Sequence, residues 1–285
     1  MSRKREKELD EIVRIIDNIR ENKYQKSDEI LLREKLNKLE NSIKRMFEKS
    51  KNDIEYMKKL QRVRSEFIGN VSHELRTPIF AIQGYIETLL NGAIDDPKVN
   101  RNFLNKANQH TINLNNLLSD LINISMIESG EMQMSFRYFE IKPYLCSIVE
   151  ELRHLAEEKN IQLILHEVPS ELYVLGDKER LKQVFTNLIH NAIKYTEQGK
   201  VEIIVEEEKK FVNFRIKDTG IGIPESDLDR IFERFYRVDK ARSRAVGGTG
   251  LGLSIVKHIL EAHNTKIQVQ SKLGIGSEFS FKLKK

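Results

Sequence analysis

A chain of 285 residues that is 39% hydrophobic and 32% charged has the apolar content for a core and the length for two domains. It holds no run of 18 apolar residues, and its N-terminus, MSRKREKELDEIVRIIDN, is charged throughout. A soluble cytoplasmic chain is therefore expected, with a membrane involved only if a transmembrane segment lies upstream of this sequence. One cysteine, Cys146, excludes an internal disulfide, and the net charge of +5 is concentrated in the first 66 residues, where alternating signs argue against direct nucleic-acid binding.

Residues 1 to 63 read as an N-terminal helical or coiled-coil arm. The segment lacks proline and glycine, and Leu36, Leu39, Ile43, Met46, Ile54 and Met57 recur in steps of three and four with one interruption. A lone helix cannot bury such a seam, so a parallel dimer is expected.

Residues 64 to 133 read as a helical hairpin. In FIGNVSHELRTPIFAIQGY, Phe67 to Tyr85, the side chains of Phe67, Val71 and Leu75 share one sector of a helix and His73 falls opposite, facing water. Thr77 lies on the face of His73. Pro78 lacks the N–H that would bond the Glu74 carbonyl, which predicts a bend beside the His73-Glu74 pair. Taken alone, this stretch fits a solvated surface histidine on a bent helix. NGAIDDPKVN, residues 91 to 100, is rich in turn formers, and a second helical pattern with Leu114, Leu117, Leu121 and Ile124 runs to Gly130. Two such hairpins make a four-helix bundle, so a homodimer is expected here as well.

Residues 134 to 285 alternate between strand and helix patterns. Strands are expected at IQLILHEV, LYVLG, KVEIIVEEE, FVNFRIKD, KIQVQS and SEFSFKL, and helices at 141 to 158, 178 to 195 and 251 to 262. The pattern suggests a two-layer α+β sandwich. Two glycine motifs stand in it: DTGIGIP, Asp218 to Pro224, after a strand, and GGTGLGLSIVKHIL, Gly247 to Leu260, opening a helix. Glycines allow backbone to approach a ligand closely, and amides at a helix start bind phosphate oxygens. Neither motif is a P-loop or a Rossmann fingerprint. Upstream, Asn187, Asn191 and Lys194 share one helical face, which would suit Mg²⁺ and a phosphate tail and equally fits an ordinary polar outer face.

In sequence order, FIGNVSHELRTPI, NLIHNAIKYT, DTGIGIP, IFERFYRVD and GGTGLGLSIVKHI resemble the H, N, G1, F and G2 boxes of bacterial sensor histidine kinases, most closely the phosphate-regulon type. The resemblance covers nearly all of residues 64 to 283. It implies an all-α dimeric helical hairpin, a four-helix bundle in the dimer, followed by an α+β two-layer Bergerat (GHKL) ATP-binding sandwich.

Carried over residue by residue, the resemblance makes His73 the acceptor of the γ-phosphoryl group of ATP, with Glu74 as its hydrogen-bond partner and general base. Thr77 matches the position that orients water when such enzymes dephosphorylate their partner. Asp218 would accept a hydrogen bond from the adenine amino group, with Gly220 and Gly222 allowing the base to approach. Asn191 matches the Mg²⁺ ligand, Asn187 and Lys194 lie near the phosphates, and Tyr195 packs by the nucleotide. Gly248, Gly250, Leu251 and Gly252 would set amides against the phosphates. VDKARSRAVGG would form a lid anchored by Phe232 and Phe235, with Arg237 at the γ-phosphate. The implied partner is the receiver domain of a response regulator.

One departure from the family pattern accompanies this reading. Relatives often end the last helix with His-Gly-Gly, where this chain has His263-Asn264-Thr265. Asparagine tolerates the left-handed conformation required there, so the fold is expected to survive. SDEILLREKLNKL, residues 27 to 39, bears a weaker resemblance to the second half of a HAMP signalling module. A clamp ATPase of the chaperone, gyrase or mismatch-repair kind is disfavoured by the H box ahead of the ATP domain. A scaffold without catalysis is disfavoured by intact His73, Asn191 and Asp218.

Overall fold

A computed structural model describes residues 2–21, 23–32, 34–238 and 249–285. The chain forms two compact units, Met1–Val71 and Ser72–Lys285.

In the first unit, helix α1, Ser2–Arg20, is followed by a connector containing the short 3-10 turn Ser27–Glu29 and then by the start of α2, Asn37–Leu90. Ile15 from α1, Ile30 from the connector and Ile43 from α2 are buried together, with Ile19, Tyr24, Leu32 and Phe47 packed around them. Glu40 holds the connector by accepting from the Leu32 N–H (2.7 Å) and from Lys44 Nζ (2.6 Å). The apolar seam expected to await a second chain is therefore divided. Ile43 is covered within its own chain, whereas Met46, Ile54 and Met57 stay exposed.

The second unit begins with the hairpin. Residues 72 to 90 of α2 run through Pro78 without a break in helix assignment, and α3 spans Asn100–Glu128. The connection contains Gly92 in the left-handed region (φ 108°) and a 3-10 turn, Ala93–Asp95, with Asn100 Nδ2 donating to the Ile94 carbonyl. Tyr85 stacks between Phe103 and His110 at ring distances of 5.8 and 5.9 Å. Leu89, Leu117 and Ile124 are buried, but Ile79, Phe80, Ile86, Leu104, Ile112, Leu118 and Ile122 remain open to solvent.

The rest of the unit is the α+β domain. Its elements are β1 (Arg137–Glu140), α4 (Ile141–Glu158), β2 (Ile161–Leu165), β3 (Tyr173–Gly176), α5 (Lys178–Tyr195), β4 (Gly199–Glu207), β5 (Phe211–Asp218), α6 (Gly252–Ala262), β6 (Gln268–Lys272) and β7 (Gly276–Lys284). Five strands form a sheet in the order β2-β4-β5-β7-β6, parallel between β2 and β4 and antiparallel elsewhere, while β1 and β3 make a separate two-stranded ladder. Alternation decides the two faces. Val201, Ile203 and Val205 of β4, Val212, Phe214 and Ile216 of β5, and Phe279, Phe281 and Leu283 of β7 are buried. The residues between them carry Glu206, Arg215 and Glu278, joined in an ion-pair row on the other face. Phe185 of α5 packs on Phe214 and Phe281 at 5.3 and 5.4 Å, which fixes this helix to the middle of the sheet.

The start of α5 is tied to two distant segments. Asp177 caps it, Oδ1 accepting from the amides of Glu179 and Arg180 at 3.1 Å each, and its Oδ2 accepts from the Ser135 N–H at 2.8 Å. The Asp177 N–H donates to Nε2 of His263 at 2.9 Å. The other ring nitrogen, Nδ1, lies 2.8 Å from the Ile259 carbonyl, which can only accept, so Nδ1 carries the proton and the ring is neutral. Asn264 adopts φ 56° and the Thr265 amide bonds back to the Leu260 carbonyl at 3.0 Å, so the left-handed helix end expected of His-Asn-Thr is present.

Burial pushes the His263 imidazole below its ordinary value of 6.5. The unfolded chain then binds the extra proton more readily than the folded one, and stability is full above about pH 6.5 and falls as the pH drops through the lower folded value. His263→Ala should cost about 1–3 kcal/mol at pH 7.5, because the Asp177 amide loses its acceptor, and distinctly less at pH 5. Urea unfolding of the full chain and the variant at both pH values measures the difference.

Candidate active site

His73 and Glu74 lie in the second unit on the part of α2 that begins the hairpin. The His73 side chain is 59% exposed, and its Nδ1 is 3.8 Å from Glu74 Oε1. Thr77 donates to the His73 carbonyl at 3.3 Å and is exposed on the same face. This local bond suits the turn before Pro78, which withholds the amide that Glu74's carbonyl would otherwise accept from.

A second cluster sits where α5, β5 and α6 converge. The outer face of α5 carries Asn187, Asn191 and Lys194, opposite the buried Leu181, Val184, Phe185, Leu188 and Ile189. Asn187 Nδ2 donates to the Gly252 carbonyl at 3.4 Å, joining the helix to the start of α6. Asn191 is half-buried, and its amide makes no hydrogen bond to the described residues. Lys194 lies 5.2 Å over the Tyr195 ring, and burial together with the neighbouring charges of Arg237 and Lys159 pulls its ammonium down to about 8. Such a cluster favours an incoming anion, which would neutralise the mutual repulsion. Lys159 donates to the carbonyls of Ile193 and Lys194 at 3.0 and 2.7 Å, satisfying the C-terminal end of α5.

Asp218 closes β5 and is buried. Its Oδ1 accepts from the Gly220 amide at 2.8 Å and from the Ser277 amide at 3.2 Å. Oδ2 accepts nothing from the described residues, which leaves it for an external donor. Ser277 and Ser271, whose hydroxyls are 2.9 Å apart, form the support behind this carboxylate, and the Ile223 amide donates to Ser271. The glycines of DTGIG have a reason that needs no ligand. A Cβ on Gly220 would meet the Tyr195 carbonyl at 2.5 Å, and one on Gly222, at φ 69°, would meet the Lys272 carbonyl at 2.1 Å.

Gly250, at φ 73°, accepts from the Phe235 amide at 2.9 Å, and a Cβ there would strike the Phe235 backbone. This bond holds the Phe235 and Gly250 backbones together. Leu251 is buried and Gly252 begins α6. Gly248 and most of the expected lid, residues 239–248, lie outside the described residues.

Three polar contacts connect this cluster to the hairpin. Arg237 Nη2 donates to Glu74 Oε2 at 3.0 Å, Thr249 Oγ1 donates to Asp120 Oδ2 at 3.1 Å, and Arg180 Nη1 donates to Asn123 Oδ1 at 2.8 Å. The sequence assigned Arg237 to the γ-phosphate and gave no role to Ser277, Ser271, Lys159, Asp120, Asn123, Thr249 or Arg180. A signal for the serines was available in KLGIGSEF, a further glycine pair before the last strand.

Comparison with known proteins agrees with this division. Residues 63–130 match the His Kinase A (phospho-acceptor) domain, and residues 176–285 match the histidine kinase-, DNA gyrase B- and HSP90-like ATPase. A phosphoacceptor hairpin joined to an ATPase of that type defines a protein-histidine kinase core. The chain belongs to the bacterial two-component sensor histidine kinases. It is 36% identical over 234 residues to the sensor histidine kinase WalK of Bacillus subtilis (strain 168), covering 81% of this chain but only 38% of that one. Among solved structures it resembles the histidine kinase ThkA in complex with the response regulator protein TrrA (TM-score 0.63, 27% identity, 83% of this chain and 66% of that). It also resembles full-length ShkA in complex with AMPPNP (TM-score 0.56, 27% identity, 76% of this chain and 45% of that). No described helix is long and apolar enough to cross a membrane.

Burial raises the Asp218 carboxyl above its ordinary 3.8, against the two amides that lower it. A raised folded value means that the neutral form is the one the fold prefers, so at neutral pH the charge costs stability. Asp218→Asn keeps an oxygen for both amides and removes that charge. It should raise the melting temperature of the nucleotide-free chain while weakening ATP binding at least tenfold, measured by thermal scanning and equilibrium titration.

Proposed function

We propose that this chain is an ATP-dependent protein-histidine kinase that phosphorylates His73 and passes the phosphoryl group to an aspartate on a response regulator. The observation that carries this reading is the Arg237–Glu74 bond, by which a residue at the edge of the nucleotide cluster reaches the neighbour of an exposed histidine. A nucleophile that serves first its own nucleotide domain and then a separate protein has to stand in solvent, as His73 does.

One nitrogen of His73 attacks the γ-phosphorus as the bond to the bridging β,γ oxygen breaks and ADP departs. Glu74 takes the proton from the other ring nitrogen. Asp218 selects adenine through Oδ2, and the amides at the start of α6, with Gly248, Gly250, Leu251 and Gly252, receive the phosphates. Lys194 neutralises phosphate charge with Asn187 beside it near the phosphates, and Tyr195 flanks the nucleotide. Asn191 fits a Mg²⁺ site, since its half-buried amide oxygen has no described protein partner and Mg²⁺ takes few protein ligands beside water and phosphate. Bound Mg²⁺ would offset the charge that develops on the leaving phosphate oxygens.

Thr77, exposed one turn beyond His73, suits the orienting of water for removal of the regulator's phosphoryl group. The open apolar positions of the hairpin, among them Ile79, Ile86, Ile112 and Ile122, support a homodimer joined through a four-helix bundle. The segment ahead of His73 would carry the signal to it.

Incubation with γ-labelled ATP and Mg²⁺ should give an acid-labile, base-stable label that His73→Ala lacks, and label retained by that variant would overturn the reading. Asn191→Asp should weaken Mg²⁺-dependent nucleotide binding about tenfold or more, with the dimer unchanged by light scattering.

A further inference from the structure

Glu74 stands between Arg237 and His73. One carboxylate oxygen accepts from Arg237 Nη2 at 3.0 Å, and the other is 3.8 Å from His73 Nδ1. Arg237 is 11% exposed and Glu74 30%, so this pair is better shielded from solvent than an ordinary surface bridge and is correspondingly stronger. Arg237 also belongs to the cationic cluster of α5, since its charge is among the causes that depress Lys194. The same guanidinium thus faces a carboxylate on the hairpin and the ammonium at the nucleotide face. An N–H of Nη2 that donates to the Glu74 carboxylate cannot at the same time be aimed at a phosphate oxygen.

We propose that Glu74 and the nucleotide phosphates compete for Arg237, so that ATP binding releases Glu74 to His73. The inference rests on the nucleotide reading given above. Its consequence is an ordering device. Without a phosphoryl donor, the base is held by the lid-root arginine. Once a triphosphate draws Arg237 away, Glu74 turns to the imidazole at the moment when proton removal is useful. The contacts Thr249–Asp120 and Arg180–Asn123, both on α3, do not involve Arg237 and keep the domain against the hairpin while the arginine changes partner. Binding energy and base release are therefore linked, and linkage is reciprocal.

Reciprocity gives a test that does not depend on catalysis. If Glu74 holds Arg237 away from the nucleotide, removing the Glu74 charge strengthens nucleotide binding although Glu74 belongs to the other domain. With the full chain and AMPPNP plus Mg²⁺, Glu74→Gln should lower Kd about 3- to 10-fold, and Glu74→Ala at least as much. Arg237→Ala should weaken binding, and Glu74→Gln added to Arg237→Ala should give no further gain. Unchanged or weaker binding in both Glu74 variants overturns the proposal, as does a gain that persists without Arg237. Tighter binding in a chain that takes no label at His73 upholds the competition while the phosphoacceptor reading fails. Absence of AMPPNP binding to the wild type overturns both.

Discussion

In the proposed reaction a nucleophile on one element and its donor on another must meet without either being permanently enclosed, and the second unit is arranged in keeping with that constraint. His73 stands in solvent on the hairpin, and the candidate nucleotide cluster is assembled on a sheet-backed helix more than a hundred residues later. Contact between them is polar, through Arg237–Glu74, Thr249–Asp120 and Arg180–Asn123. Polar contacts of this kind can be exchanged for others at modest cost, whereas a hydrophobic interface would favour one arrangement. In the proposed reaction Glu74 and Arg237 also take part in the chemistry, so the same groups would serve docking and reactivity.

The nucleotide cluster, by contrast, is built on rigid supports. Phe185 locks α5 to the sheet, Lys159 satisfies its C-terminal end and Asp177 its N-terminal end. Asp218 is gripped by two amides, one from the turn after β5 and one from the start of β7, which meet only in the folded domain. Burial raises its proton affinity and the amides oppose that effect, which leaves a charged acceptor held at some expense of stability. The same compromise is visible at Lys194, where burial and then neighbouring cations lower the ammonium, a setting that favours an anion. Groups that would stabilise the empty domain better by being neutral are the ones suited to hold a ligand.

Elements with strong local signals were legible from residues alone. Helix α5 combines an Asp cap with a regular apolar stripe, and β4, β5 and β7 alternate cleanly, because local geometry dictates those patterns. The short strand β1 was not foreseen. Its four residues are half exposed and gain strand geometry only by pairing with β3, more than thirty residues on. The arm was legible as helix but not in its packing, since Ile15, Ile30 and Ile43 come from three separate segments and their burial depends on the connector's path.

The sequence by itself determined the order of the domains, the exposure of His73 and the candidates His73, Asn191 and Asp218, because periodicity and motif chemistry are local properties carried by neighbouring residues. The tertiary structure alone decided what surrounds them. Glu74 and Arg237 are separated by 163 positions, Asp177 and His263 by 86, and Asp218 and Ser277 by 59. No local rule relates such pairs, since their proximity is set by how the sheet orders its strands and how the hairpin meets the domain. That proximity gives Arg237 a carboxylate partner on the hairpin and gives the glycines of DTGIG a packing reason beyond ligand approach.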